Sequence, residues 1–106
     1  MLRIVEDIVS LICEVAPLVA RVERRDAALA KQFRNALNSA LLNTSEGSGQ
    51  HGARRAYQYA IALGSADEAF VALRGANAWG YIAPLDPHMV DKFKKIICTL
   101  NKVARH

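Results

Sequence analysis

Hydrophobic residues recur at alternating spacings of three and four along four segments of the chain, and no segment alternates apolar and polar residues with a period of two. The first spacing is typical of amphipathic helices and the second of strands, so the pattern predicts an all-α protein. Short connections favour antiparallel neighbours, and we expect residues 1–106 to form a single domain, an up-down four-helix bundle. The predicted helices run from about Leu2 to Arg24, Ala27 to Ser45, Ala53 to Ala78 and Pro87 to Ala104, with a flexible linker over residues 48–52.

Residues with special backbone properties mark the predicted helix ends. Asp26 and Asp86 precede the second and fourth helices, where their carboxylates can accept hydrogen bonds from free backbone N–H groups as N-caps. Gly47 and Gly80 follow the second and third helices and are expected to end them in the left-handed conformation. Pro17 lies inside the first helix and removes one backbone donor, so we expect a kink there or a division into two short helices.

Positions that repeat at helical spacing identify the predicted core. The third and fourth helices form one stripe each, made of Tyr59, Leu63, Ala66, Phe70 and Leu73, and of Met89, Phe93, Ile96, Leu100 and Val103. The second helix supplies a narrower stripe of small residues around Phe33 and Ala36. The third helix also carries Ala56, Ala60 and Gly64 on another face, where we expect a neighbouring backbone to pack closely.

The first helix is more apolar than a helix that contacts one core requires. Its apolar side chains cover an arc of about 200°, whereas one core needs little more than about 100°. A kink at Pro17 that shifts the helical phase is one explanation, although the residues before Pro17 already span most of the arc. We favour a second contact surface formed with another copy of the chain, because monomers seldom leave a large apolar patch exposed. The predicted interface residues are Val5, Val9, Ile12 and Val19.

Composition excludes several classes of protein. Of the 106 residues, 52% are hydrophobic and 23% are charged, which excludes a disordered chain. No uncharged run of about 18 residues occurs, so no membrane span is expected. Cys13 and Cys98 lie within helical patterns and are predicted to be reduced and buried, which favours a cytoplasmic protein.

Candidate catalytic and metal-binding residues are sparse. His51, His88 and His106 have no Cys or carboxylate at ligand spacing on a shared face, so no metal site is predicted. The glycines between Gly47 and Gly52 lack the lysine and the preceding strand of a phosphate-binding loop. We therefore expect neither a cofactor nor enzymatic activity.

Positive charge is concentrated in the second half of the chain. Residues 1–53 carry six basic and six acidic side chains, whereas residues 54–106 carry eight basic and four acidic ones. A solvated helix face that binds nothing is one interpretation of this charge. Repetition of the charge in an oligomer favours the other interpretation, contact with the phosphates of a nucleic acid. The predicted nucleic-acid-binding residues are Lys94, Lys95, Lys102 and Arg105 on the fourth helix, and Arg54 and Arg55 at the start of the third.

Four short motifs resemble a known family. They are Gln32 with Arg34, the run Asn43-Thr44-Ser45-Glu46-Gly47, the run Ala62-Leu63-Gly64-Ser65-Ala66 with Glu68, and the run Trp79-Gly80-Tyr81-Ile82. In order and spacing they resemble the four-helix-bundle proteins encoded by intervening sequences in bacterial 23S ribosomal RNA genes. The same family includes accessory variability determinants of diversity-generating retroelements. The chain departs from the family at Asn35, where a second basic residue is usual, and at Thr44 and Ser45, where apolar residues are usual.

The resemblance implies an up-down bundle that assembles as a ring-shaped homopentamer and has no enzymatic activity. For the retroelement members it also implies binding of nucleic acid and of a reverse transcriptase through a basic surface. The leading hypothesis is therefore a cytoplasmic, non-catalytic homo-oligomer that binds DNA or RNA through basic helix faces. The alternative is a scaffold that binds another protein and no nucleic acid, with its charge serving solubility.

Overall fold

Four helices joined by short connections follow one another along the chain. The computed structural model describes residues 3–105, in which the helices are α1 (Ile4–Arg25), α2 (Ala27–Ser48), α3 (Gly52–Ala78) and α4 (Pro87–Ala104), without a strand among those residues. Consecutive helices run antiparallel, and α4 packs back against α1, which closes the order α1, α2, α3, α4 around one core. The predicted all-α four-helix bundle is confirmed. Leu2, where the first helix was expected to begin, lies outside the described residues.

The predicted N-caps and one of the predicted glycine ends are present. The carboxylates of Asp26 and Asp86 accept hydrogen bonds from backbone N–H groups in the first turns of α2 and α4, at 2.9 and 2.8 Å. Gly80 has a φ of 82°, and the next residue, Tyr81, donates its N–H to the Ala76 carbonyl at 2.9 Å. This is the Schellman arrangement, in which a left-handed glycine lets the chain reverse and satisfy the last carbonyls of a helix.

The sequence pattern predicted that Gly47 ends the second helix, and this prediction is wrong. α2 continues to Ser48, and Gly47 is a buried residue within it. A Cβ atom added at Gly47 would lie 2.8 Å from Cε1 and 2.9 Å from Cδ1 of Tyr59. Because the Tyr59 ring is fully buried, the absence of a side chain at Gly47 is what lets the ring pack between α2 and α3. The linker is also shorter than predicted, since Gly52, with a φ of 59°, already begins α3.

α1 is one continuous helix through Pro17, so the alternative of two short helices is wrong. Pro17 and Cys13 are both exposed. Proline removes the N–H that would otherwise bond to the Cys13 carbonyl, and at an exposed position water can supply that hydrogen bond instead. The missing backbone hydrogen bond therefore lies on the exposed side of α1, where its loss costs the least free energy.

The core is formed by one stripe from each helix. The predicted stripe of α4 is buried from Met89 to Leu100, and its last member, Val103, is half-buried. Small residues, chiefly alanine, make up most of the buried positions of both α2 and α3, which lets these two helices approach closely. The Ser39 and Ser65 hydroxyls are hydrogen-bonded across that contact at 2.8 Å. The tightest helix pair is therefore the α2–α3 hairpin.

α1 buries more of its circumference than a helix that faces one neighbour. Because α2 and α4 flank it on both sides, they half-cover Val5, Ile12 and Leu18 in addition to the central stripe. Val19 belongs to that stripe and is only 5% exposed, so its assignment to an outer surface is wrong. Val9, at 40% exposure, is the most open of the large apolar residues described on α1. The buried stripe consists of Ile4, Ile8, Leu11, Val15, Val19 and Val22.

Gly47→Ala is expected to destabilise the protein by about 1–3 kcal/mol, because the new methyl group overlaps a buried ring that has no free space to enter. Urea unfolding followed by circular dichroism measures the change in the free energy of unfolding. Gly49→Ala is the matched control, since a Cβ there would approach only the Glu46 carbonyl oxygen, at 3.7 Å. Its effect should stay within about 0.5 kcal/mol. Equal losses in both variants would contradict the role assigned to Gly47.

Candidate functional site

The outer face of α4 carries the predicted basic stripe. Lys94, Lys95, Lys102 and Arg105 are all exposed, because the core residues of α4 occupy the opposite side of the helix. Lys94 and Arg105 are eleven residues apart, or about 16 Å along the helix axis. Asp91 is the exposed acid on the same face. The strip therefore consists of two pairs of cations, Lys94 with Lys95 and Lys102 with Arg105, with its one acid near the end where α4 begins.

None of the predicted nucleic-acid-binding residues is used in an ion pair within the described part of the chain. The ion pairs formed by residues 3–105 join Arg34 to Glu23 and Lys92 to Glu14. The first holds α1 to α2 and the second holds α1 to α4, where the Lys92 ammonium also donates to the Ser10 hydroxyl at 2.8 Å. Lys92 and Arg34 thus have structural partners, whereas the stripe of α4 remains open to an external anion.

Arg54 and Arg55 lie at the same end of the bundle as the C-terminal part of the α4 stripe. This follows from the antiparallel arrangement, which places the start of α3 and the end of α4 at the same end of the bundle. Both arginines are exposed, and the Arg55 guanidinium carbon lies 5.6 Å from the centre of the Tyr59 ring, a cation–π contact. The structure therefore brings the arginine pair and Lys102 with Arg105 to one end, while Lys94 and Lys95 lie nearer the middle of α4.

Tyr57 is a candidate binding residue that the sequence analysis missed. Its side chain is 64% exposed, and it lies three residues after Arg54, so the two share the outer face of α3. An exposed aromatic ring beside a cation can stack on a nucleobase while the cation contacts a phosphate. The sequence offers one signal for this role, the Arg-x-x-Tyr spacing. The same spacing also occurs where the tyrosine is a core residue, and only the burial of the tyrosine in the structure distinguishes the two cases.

α3 carries more exposed apolar surface than the other helices. Tyr57, Val71 and the adjoining Trp79 are 64%, 56% and 73% exposed, and no other helix contributes more than one large apolar residue to the described surface. The corresponding residue is Val9 on α1 and Leu42, at 64% exposure, on α2. The exposed large apolar residues are therefore concentrated on α3 and its C-terminal end, not on α1 as the sequence pattern predicted.

A shallow groove runs between α3 and α4 beside this exposed surface. It consists of two adjoining depressions of about 870 and 770 Å³, which share Phe70 and Lys94. The expectation that Ala60 and Gly64 pack against a neighbouring backbone is wrong within one chain, because both are exposed and line this groove. A Cβ added at Gly64 would have no atom within 4 Å. The small residues leave space there that the chain itself does not fill.

Both cysteines are exposed, which corrects the prediction that they are buried. Cys13 lies on the outer side of α1, and Cys98 lines the groove beside α4. Each cysteine lies on the side of its helix opposite the buried stripe, so helical phase accounts for its exposure. The two thiols are free and accessible.

A polar cluster lies at the opposite end of the bundle. The Tyr81 hydroxyl donates to the Asp26 carboxylate at 3.3 Å, and the Arg25 guanidinium carbon lies 5.5 Å from the centre of the Tyr81 ring. Desolvation, followed by the charge and hydrogen bond of Asp26, raises the pKa of Tyr81, while Arg25 opposes the shift. Because the same carboxylate caps α2, the cluster joins the end of α3 to the α1–α2 turn. The cluster therefore fixes the start of the α3–α4 connection against the turn between α1 and α2.

Several residues that carry the family resemblance have structural roles. Asn43 donates its amide to the Ser39 carbonyl at 2.9 Å, Gly47 accommodates Tyr59, and Gly80 closes α3. Arg34, by contrast, is engaged with Glu23 at the surface. The motif residues therefore define how the helices join and pack.

Within residues 3–105, no three His, Cys, Asp or Glu side chains come together in a group that could hold a metal ion. None of the described helices combines the length and the apolar character that crossing a bilayer requires.

No known protein is similar enough to this chain to show its family. No protein-family model, curated protein or solved structure matches the chain. The candidate site is therefore defined by the charges, exposures and contacts of the chain's own residues.

Proposed function

We propose that this protein is a cytoplasmic, non-catalytic homo-oligomer that binds nucleic acid through the exposed basic residues of α4 and the first turn of α3. The observation that carries the proposal is the unpaired cationic strip formed by Lys94, Lys95, Lys102 and Arg105. The copy number of five and a reverse transcriptase partner come from the family resemblance alone. The charge and the exposed apolar surface come from the chain itself.

Electrostatics supports binding that depends little on base sequence. Each phosphate neutralised by a lysine or arginine releases condensed counterions, and this release drives association. Six such contacts in one protomer would make the logarithm of the association constant fall with the logarithm of salt concentration with a slope of about −5. A homo-oligomer repeats the strip, so a long polyanion can contact several copies at once and gain avidity.

Replacement of two cations of the strip tests the charge contribution. Lys95→Glu combined with Lys102→Glu should weaken binding to short duplex DNA and RNA and reduce the magnitude of the salt slope by about 2. Fluorescence anisotropy across a salt series measures both quantities. The matched control is Arg21→Glu with Lys31→Glu, which changes the net charge equally at exposed sites on α1 and α2. Nucleic-acid binding is refuted if the wild type fails to bind at low salt, and the site is refuted if the control loses as much affinity.

Tyr57 provides a separate test of contact with unpaired bases. Tyr57→Ala should weaken binding of single-stranded oligonucleotides by about 1–3 kcal/mol, which is the range for loss of one stacked base, and leave duplex binding nearly unchanged. Tyr57→Phe keeps the ring and should bind like the wild type. An equal loss for single strands and duplexes would instead assign Tyr57 to the fold or to a general surface effect, so circular dichroism of each variant accompanies the titration.

Self-association is supported by the large exposed apolar residues, because monomers seldom leave such surface open. Sedimentation equilibrium should give a mass close to five copies of the 11.6-kDa chain. A different multiple would change the copy number that the resemblance implies. A mass of one chain at micromolar concentration would contradict the oligomer itself.

The alternative function is a scaffold that binds an unrelated protein and no nucleic acid. Trp79 favours it, since an indole ring that is 73% exposed at a helix end is the kind of residue that dominates protein interfaces. The titrations above separate the two functions, because a scaffold whose charge serves only solubility predicts no salt-dependent binding of DNA or RNA.

A further inference from the structure

The larger depression of the groove between α3 and α4 has a cation on each wall. It measures about 870 Å³ and lies where α3 ends and α4 begins, and we call it the Arg74 depression. Arg74 of α3 and Lys94 of α4 both line it, and both side chains are exposed. Phe70, Val71 and Val90 contribute apolar surface, and no acid occurs among the lining residues that the structure describes. The depression therefore combines apolar surface with positive charge.

Two acids occur close to the Arg74 depression along the helices but do not line it. Asp67 lines the adjoining depression together with Lys94, and Asp91 lines a depression between α1 and α4. Among residues 3–105, neither Arg74 nor Lys94 forms an ion pair. Positive charge therefore exceeds negative charge at the Arg74 depression even with Asp67 counted, and its ligand is expected to be anionic.

Arg74 rests on an aromatic ring of the core. Its guanidinium carbon lies 6.0 Å from the centre of the Phe70 ring, a cation–π contact. Phe70 in turn stacks on the buried Phe93 with ring centres 5.1 Å apart. A guanidinium group can stack on a nucleobase and can also bind a phosphate. Packing against the core thus positions a group with both abilities at the edge of the depression.

We propose that the Arg74 depression binds one unpaired nucleotide of a single-stranded nucleic acid, with the base on the apolar surface and the neighbouring phosphates on Arg74 and Lys94. This inference rests on the proposed function and names the form of nucleic acid that the site takes. Lys94 belongs both to the basic strip of α4 and to the depression, so a strand bound to the strip can continue into it. A duplex keeps its bases paired and stacked inside the double helix and cannot place one there.

The shape of the depression favours part of a chain over a free small molecule. Pockets for small molecules bury most of the ligand's surface, whereas the Arg74 depression is shallow and open to solvent. A strand held by the strip can place one base there without being enclosed. An acidic segment of another protein would meet the same two cations, but the shared Lys94 joins the depression to the proposed nucleic-acid strip and favours the nucleotide.

Filling the depression tests the base contact. Gly75 lines it, and a Cβ atom added at Gly75 would have no atom of the chain within 4 Å, so Gly75→Leu occupies space that the chain leaves empty. The variant should bind a short oligothymidylate about 5- to 150-fold more weakly, the range for loss of one stacked base, and should bind a short duplex like the wild type. Fluorescence anisotropy measures both affinities, and circular dichroism checks the fold.

Gly64→Leu is the matched control. Gly64 lies on the same helix and lines the adjoining depression, and a Cβ atom there also has no neighbour within 4 Å. This variant should bind both probes like the wild type. An equal loss in the two variants would overturn the assignment of the nucleotide to the Arg74 depression.

Arg74→Gln tests the phosphate contact. The magnitude of the salt slope for oligothymidylate should fall by about 0.7, the value for one phosphate of a single strand, while the slope for the duplex stays unchanged. Arg21→Gln removes an exposed cation of α1 and should alter neither slope. A change of the same size for duplex and single strand would overturn the contact with an unpaired nucleotide.

Tyr57 does not account for these losses. Arg74 lies seventeen residues after Tyr57 on α3, or about 26 Å along the helix axis, so the two residues contact different nucleotides. The losses caused by Gly75→Leu and Tyr57→Ala should therefore multiply in the double variant when the strand is long enough to reach both sites.

A strand made of abasic residues separates base contacts from phosphate contacts. It keeps the phosphates and lacks the bases, so Gly75→Leu should bind it as well as the wild type does. A loss as large as that for oligothymidylate would overturn the base contact. If Gly75→Leu binds every probe like the wild type, the nucleotide contact is overturned, an acidic protein segment becomes the expected occupant, and the proposed function still stands. A wild type that binds neither oligothymidylate nor duplex at low salt refutes the proposed function together with this contact.

Discussion

The close contact between α2 and α3 is the interaction on which the rest of the bundle depends. Alanines on both helices and the missing side chain at Gly47 let the backbones approach until the Tyr59 ring is fully enclosed. The larger residues of α3, Leu63 and Phe70, consequently lie towards α4, where Phe70 stacks on Phe93 with ring centres 5.1 Å apart. On the α4 side, the small residues Ala60 and Gly64 leave the groove between α3 and α4 unfilled.

Charge is arranged around this packing in two ways. Glu14 and Glu23 of α1 engage Lys92 and Arg34, so the acids of the first helix hold it to both neighbours. The remaining cations of α4 have no such partner and project outward. A polyanion is the kind of ligand that such a strip attracts, because counterion release rewards many weak contacts more than one specific contact. The positive charge that distinguishes the second half of the chain is therefore available for binding.

Sequence reasoning succeeded where a property depends on spacing along one helix. Asp26 and Asp86 cap α2 and α4 because a carboxylate before the first turn meets free N–H groups whatever the tertiary structure. The apolar residues of α4 repeat in phase with the helix, so they share one side and are buried together. The lysines on the opposite side are exposed for the same reason. It failed at Gly47, where a residue typical of helix ends serves instead to admit a ring from the next helix. Such a requirement comes from a neighbour twelve residues away in the chain.

The sequence by itself determined the four helices, the caps at Asp26, Asp86 and Gly80, most of the core stripes and the exposure of the basic residues of α4, because each is a property of local spacing and of chemistry within one helix. Only the tertiary structure decided which apolar residues remain open. Val19 is buried, whereas Leu63 and Phe70 of the predicted α3 stripe are only half-buried, because α1 has a helix on either side of its stripe while Leu63 and Phe70 border the open groove between α3 and α4. Cys13 and Cys98 are different, because each lies opposite the buried stripe of its helix and its exposure follows from helical phase alone. A periodic pattern specifies the direction of a side chain from its helix axis, but the position of the neighbouring helix determines whether that direction leads to the core or to solvent.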